Sequence, residues 1–170
     1  MIVRQWKCFL MVALACVLGE ACYAEAAEQA ASAVVPPQAD LFKKFEQTMN
    51  GAVLAGQFTI LGKDRQSMPP EEYTIKRVSK LADGDYWLFQ ARIKYGDKDV
   101  TVPLPLEVKW AGDTPVITLT DLTIPALGTF SARVVIDNGK YAGTWTHGDA
   151  GGHMFGVIRR NAETKPGEGP

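Results

Sequence analysis

The chain has 170 residues, 46% apolar and 22% charged, proportions that fit an ordinary folded domain and neither a polytopic helical membrane protein nor a wholly disordered chain. Such a length predicts one domain with an appendage. Lys plus Arg at 18 against Asp plus Glu at 19 leaves a net charge of −1, which excludes the basic footprint of a nucleic-acid partner and gives little pull toward an anionic membrane surface.

Arg4 and Lys7 precede the apolar run from Cys8 to Gly19, and small residues follow at Ala21 and Ala24. That order is the pattern of a secretory signal peptide, expected over residues 1–24, with cleavage after Ala24 or, almost as well placed, after Ala26. About a dozen apolar residues fall short of the roughly 20 needed to cross a bilayer, so the mature chain is expected to be exported, periplasmic or secreted, with no stable transmembrane span. Lipid attachment at Cys16 or Cys22 is disfavoured, because Ala13-Leu14-Ala15 lies too early in the run and Glu20 stands where a small or apolar residue belongs. All three cysteines, Cys8, Cys16 and Cys22, fall in the segment to be removed. The mature chain then has no disulfide framework, no cysteine nucleophile and no thiolate metal site, and its core alone must hold it.

Residues 25–39 read EAAEQAASAVVPPQA, an Ala/Pro-rich leader expected to be disordered. The domain proper is expected over 40–160. It opens on a helix at 41–49, where Asp40 is placed to cap Leu41, Phe42, Phe45 and Met49 at helical spacing and Asn50-Gly51 ends the run. Residues 161–170 carry no large apolar side chain and are expected to form a disordered tail.

Between these ends the periodicity is two. Val100, Val102, Leu104, Leu106, Val108 and Trp110 alternate with Thr101, Pro103, Pro105, Glu107 and Lys109, a pattern no helix tolerates. Trp87–Tyr95 and Phe130–Ile136 alternate in the same way. Val53–Leu61, Glu72–Leu81, Val116–Ile124, Lys140–His147 and His153–Arg160 complete about eight strands, with phase slips near Lys76-Arg77 and Asp121 that predict bulges. Pro103 and Pro105 count against a perfectly regular sheet. Asp83-Gly84, Ala111-Gly112-Asp113 and Asp137-Asn138-Gly139 supply hairpin turns. The expected fold is all-β, an antiparallel up-and-down meander closing into a barrel because closure removes the exposed edges; a β-sandwich is the alternative.

A short helix leading into Leu54-Ala55-Gly56-Gln57-Phe58, with Arg159-Arg160 in the last strand, resembles the calycin plan of lipocalins and avidin-type barrels. In that plan a Gly-x-Trp on the first strand packs beneath an arginine from the last. Phe58 stands here in place of the tryptophan, and the lipocalin loop motifs are missing. The resemblance implies a small calycin-like barrel and, more distantly, a lipocalin-like ligand-binding role.

Few residues could carry chemistry. Trp87, Phe89, Trp110, Phe130 and Trp145, with Phe58, either line a ligand cavity or fill a solid core, and the filled core is the preferred expectation because small barrels are often packed solid. Both histidines lie in Tyr141–Arg160. If these two strands pair across a loop at Gly148–Gly152, His147 faces His153, Trp145 faces Phe155, Gly143 faces Val157 and Tyr141 faces Arg159. His147, Asp149 and His153 could then share a Zn or Cu ion; the competing reading makes Asp149 and the glycines a turn and the histidines caps of the sheet end. Glu71-Glu72 and Asp83-Asp85 read as solvated turns. No nucleophile elbow, His-Glu-x-x-His or phosphate loop is present.

Three functions remain open. The first is an exported, non-enzymatic barrel binding an apolar small molecule or an envelope protein at one rim, with no resident cofactor. The second is a metal-binding protein or metal-dependent enzyme using His147, Asp149 and His153. The third is a small outer-membrane barrel. Alternation of the joints gathers the longer ones at one end, so the corner formed by His147, Asp149, His153 and Lys63–Pro70 is the expected binding rim.

Overall fold

The computed structural model describes residues 35–63, 68–125 and 127–160, apart from the side chain of Tyr95. The expected signal peptide, the leader up to residue 34 and the tail at 161–170 lie outside the described residues. One helix, α1 (Gln38–Met49), leads into eight strands: β1 (Ala52–Phe58), β2 (Pro70–Lys80), β3 (Tyr86–Tyr95), β4 (Lys98–Ala111), β5 (Thr114–Ile124), β6 (Gly128–Asp137), β7 (Lys140–His147) and β8 (Ala150–Arg160). Each strand pairs antiparallel with the next, and β8 pairs with β1 over Ala52–Phe58, so the meander closes into a barrel rather than a sandwich.

The alternating faces fall as their periodicity requires. Trp87, Phe89, Ala91 and Ile93 of β3, Leu104, Leu106 and Val108 of β4, and Val134 and Ile136 of β6 are buried inside the tube. The two phase slips are bulges. In β2 the register shifts between Ile75 and Arg77, which puts both Lys76 and Arg77 outside and returns Val78 to the interior. In β5 it shifts between Leu119 and Leu122, where Asp121 takes a φ of 48°. Ser131 on β6 holds that bulge, its Oγ accepting from the Asp121 amide at 2.9 Å and donating to the Asp121 carboxylate at 3.0 Å.

The prolines of β4 mark where the wall thins. The Val108 amide donates toward β3, to the Asp85 carbonyl. With the β3–β4 register unbroken from Tyr86↔Glu107 to Tyr95↔Lys98, the odd-numbered residues of β4 turn their backbone groups toward β5. Pro103 and Pro105 therefore lack an N–H on the β5 side, and the β4–β5 ladder is confined to Glu107–Ala111 against Thr114–Thr118.

The helix begins at Gln38, three residues before the expected Leu41, with Pro37 rather than Asp40 at its N-cap and no side-chain cap bond. The Pro37 carbonyl accepts from the Asp40 amide at 2.9 Å, which leaves Asp40 in the first helical turn, where a negative charge suits the helix dipole. Leu41, Phe45 and Met49 are the buried face of α1. They lie against the barrel end where β3 begins and β4 finishes: Phe42 and Phe45 meet the Trp87 ring edge-on at centroid distances of 5.2 and 5.1 Å, and both also contact Trp110. The last turns of β2 have no β1 partner, because β1 starts opposite Ile75. The helix supplies the missing acceptors: Asn50 Oδ1 takes the Val78 amide at 2.5 Å and Glu46 Oε1 the Lys80 amide at 3.3 Å. Arg160 on β8 donates in turn to the Asn50 and Gln47 carbonyls at the helix C-terminus, the end where a cation satisfies orphan acceptors. Arg160 thus serves the helix. Phe58 packs elsewhere, edge-on to Trp145 at 5.6 Å.

Candidate ligand-binding cavity

The barrel is not packed solid. A cavity of about 370 Å³ runs through its interior, within the roughly 300–1,000 Å³ typical of small-molecule sites. Its floor is Met49 of α1, and its walls are inward side chains of the strands, among them Ile75, Phe89, Leu106 and Val134. At the end opposite the helix it reaches Ile60, Leu127, Phe130, His147 and Ala150, which belong to the joints and strand ends of that rim. The mouth is therefore the end that holds the β1–β2, β3–β4, β5–β6 and β7–β8 connections, the rim singled out by alternation of the joints.

The five aromatic candidates divide between two places. Phe89, Phe130 and Trp145 line the cavity, as does Phe58. Trp87 and Trp110 do not: they lie under the helix at the closed end, where Phe42 and Phe45 cover them. Periodicity put all of them on one face correctly, but position along that face separates the lining of a void from the seat of a plug.

The β7–β8 hairpin departs from expectation by three residues of register. Its turn is the two residues Gly148-Asp149 rather than a five-residue loop, so His147 faces Ala150, Trp145 faces Gly152, Gly143 faces Met154 and Tyr141 faces Gly156. Gly148 takes a φ of 55°, the positive φ that a tight two-residue hairpin demands at its first central position. The consequence is that the imidazoles lie on opposite faces of the sheet. His147 is on the inner face at the mouth, stacked on Phe130 at 4.3 Å, with its Nδ1 2.9 Å from the Thr129 carbonyl. His153 is in the outward phase, with Nδ1 3.3 Å from Thr59 Oγ1. Closure does bring His153 against the segment after β1, since the Thr59 amide donates to the His153 carbonyl at 2.8 Å. The facing pair on which the His147, Asp149 and His153 arrangement rested is not formed, and among the described residues no group of three His, Cys, Asp or Glu side chains is placed to hold a metal ion.

The acidic group of the cavity among the described residues is one that the sequence assigned to a solvated turn. Glu71, only 6% exposed, lines the cavity with Tyr73 and Tyr141. Its Oε1 accepts from the Tyr141 hydroxyl at 2.8 Å and its Oε2 from the Tyr73 hydroxyl at 2.9 Å. Tyr141 reaches Glu71 from β7 by crossing β8 and β1. Its ring passes over Gly156, where a Cβ would come within 2.7 Å of Tyr141 Cε1, and its hydroxyl ends over Gly56. Both positions need a residue with no side chain. Burial pushes the Glu71 carboxyl above its ordinary value, against which the two tyrosine hydrogen bonds pull it down. Burial, followed by the neighbouring Glu71, drives the Tyr141 phenol upward, so it stays protonated and donating. The one signal in the sequence that could have found Glu71 is its phase: it alternates with Tyr73 and Ile75 on the inward side of β2.

Comparison with protein families, with curated proteins and with solved structures gives no match to this chain.

Proposed function

We propose that this protein is an exported, non-enzymatic binding protein that holds an apolar small molecule inside its barrel. The observation that carries the reading is the cavity itself: about 370 Å³ of void lined almost wholly by apolar side chains, floored by a helix and reaching the opposite rim. Small barrels without a ligand role are generally filled by their own side chains, and an apolar void with one polar cluster is the usual form of a small-molecule site. The architecture agrees with a calycin-like plan. The signal-like order of Arg4, Lys7, the Cys8–Gly19 run and Ala24 supports the exported part.

A lipid-spanning barrel is the less favoured reading. Arg92, Lys109 and Arg133 are on the outward face while the interior is apolar, the reverse of the apolar exterior and polar lumen of membrane barrels. The metal reading has lost the facing imidazoles it needed.

Titration with N-phenyl-1-naphthylamine, an uncharged apolar reporter, tests the proposal. Saturable fluorescence enhancement at one site per chain is expected, with competition by alkanes or alcohols of matching size. Absence of saturable binding would sink it. Native mass spectrometry of protein recovered from the producing cell would report a retained ligand directly, and its N-terminus should be Glu25 or Ala27.

A further inference from the structure

The Glu71 cluster narrows the chemistry of the ligand, on the premise that the cavity is a binding site. Each Tyr hydroxyl has a single hydrogen. Tyr141 gives its hydrogen to Oε1 and Tyr73 gives its hydrogen to Oε2, so no donor is left over from these three side chains. Each carboxylate oxygen can accept a second hydrogen bond. The three ion pairs found among the described residues are Arg92–Asp99, Lys109–Asp85 and Lys109–Glu107; none involves Glu71. The cavity is lined mostly by apolar side chains, with Ser131, Trp145 and His147 among the rest, and among the described residues the Glu71 carboxylate, when ionised, is its anionic acceptor. A ligand carboxylate or phosphate at that point would meet repulsion from Glu71, and Tyr73 and Tyr141 have already spent their hydrogens on it. A neutral alcohol would gain one hydrogen bond, and a protonated amine would gain a charge-assisted one while supplying a counter-ion.

We infer that the barrel's ligand is an apolar molecule bearing a single protonated amine, whose nitrogen is received by the Glu71 carboxylate between Tyr73 and Tyr141. The apolar body occupies the space between Phe89, Val134 and the mouth, and the ammonium keeps Glu71 ionised in a place where burial alone favours the neutral acid. The tyrosines position the carboxylate and stabilise its ionised form through two hydrogen bonds.

Three probes with one tail isolate the headgroup: decylamine, decanol and decanoate, each displacing N-phenyl-1-naphthylamine at neutral pH. Decylamine is expected to displace the reporter at a concentration about tenfold or more below decanoate, with decanol between them. Glu71→Gln should bring decylamine and decanol together, each displacement being read against that variant's own reporter affinity. Glu72→Gln, which removes the same charge from the neighbouring residue of opposite phase, should preserve the amine preference. If decanoate matches or outcompetes decylamine on the wild-type protein, or if Glu72→Gln erases the preference as fully as Glu71→Gln, the inference is overturned while the cavity reading stands. Should Glu71→Gln fail to fold, the wild-type ranking and the Glu72→Gln control decide the matter. A reporter that binds nowhere would overturn the cavity reading instead, so the two failures are told apart.

Discussion

Glu71 and Tyr141 form a stitch across the line where the barrel closes. Tyr141→Phe deletes the hydrogen bond to Oε1 and leaves a buried carboxyl oxygen short of a partner, expected to cost about 1–3 kcal/mol in a denaturant titration. Gly156→Ala places a methyl group against the Tyr141 ring and the Gly56 backbone; overpacking of that kind costs about 1–3 kcal/mol, and loss of the Glu71–Tyr141 contact should accompany it. The carboxyl also makes stability depend on pH. Its folded value is raised above the ordinary 4.5, so between the two values the folded chain binds more protons than the unfolded chain, and stability falls as pH rises through that window. Glu71→Gln lacks this loss. Thermal melts of both proteins from acid to neutral pH should show the melting temperature of the variant gaining on that of the wild type as pH climbs past 4.5. A difference that stays constant with pH would show that the carboxyl titrates alike in both states.

At the scale of elements, α1 is a plug and β4 a weak seam. Phe45 is 3% exposed and touches Trp87, Phe89 and Trp110, so Phe45→Ala should cost about 3–5 kcal/mol. Thr101→Ala, on the exposed outward phase of β4, should stay within about 0.5 kcal/mol. Equal losses would mean that the helix is not seated on the barrel as described. The seam follows from Pro103 and Pro105: with the β4–β5 ladder confined to Glu107–Ala111, the amides of Asp99 and Thr101, which turn toward β5, should exchange with solvent faster than those of β3, which is paired along both sides. Uniform protection across the wall would contradict this.

For the whole molecule, closure at one end by the helix and space at the other make access one-sided. Ala132 lines the cavity on β6, and Ala132→Phe would project a ring into the void rather than into packed neighbours. Reporter uptake should fall about tenfold or more while the melting temperature holds or rises, because filling an apolar void restores contacts that the cavity forgoes. Unchanged uptake would place the bound reporter outside the barrel, for instance on the outer strip near Phe155 and Val157, which are 41% and 39% exposed.

The sequence by itself determined the strands, the inward faces of those with clean alternation such as β3, β4 and β6, both bulges and the alternation of joints, because each is written in a period of two, in local turn chemistry or in a local break of phase; the inward face of β8, set by its register, was not among them. Val100 through Trp110 could be read without a partner strand, and so could the slips at Lys76-Arg77 and Asp121. Closure was legible too, as the relief of two exposed edges. Only the tertiary structure decided the register of β7 against β8, since a two-residue turn at Gly148-Asp149 and a longer loop fit the same letters and a shift of three residues sends His153 to the other face. It alone separated Trp87 and Trp110, beneath the helix, from Phe89, Phe130 and Trp145, around the void. And it alone made a buried acceptor of Glu71, whose partners come from β2 and, across two intervening strands and a pair of glycines, from Tyr141, seventy residues away. Side chains that meet only when a sheet curls shut leave no local trace, because what brings them together is the closure of the whole barrel.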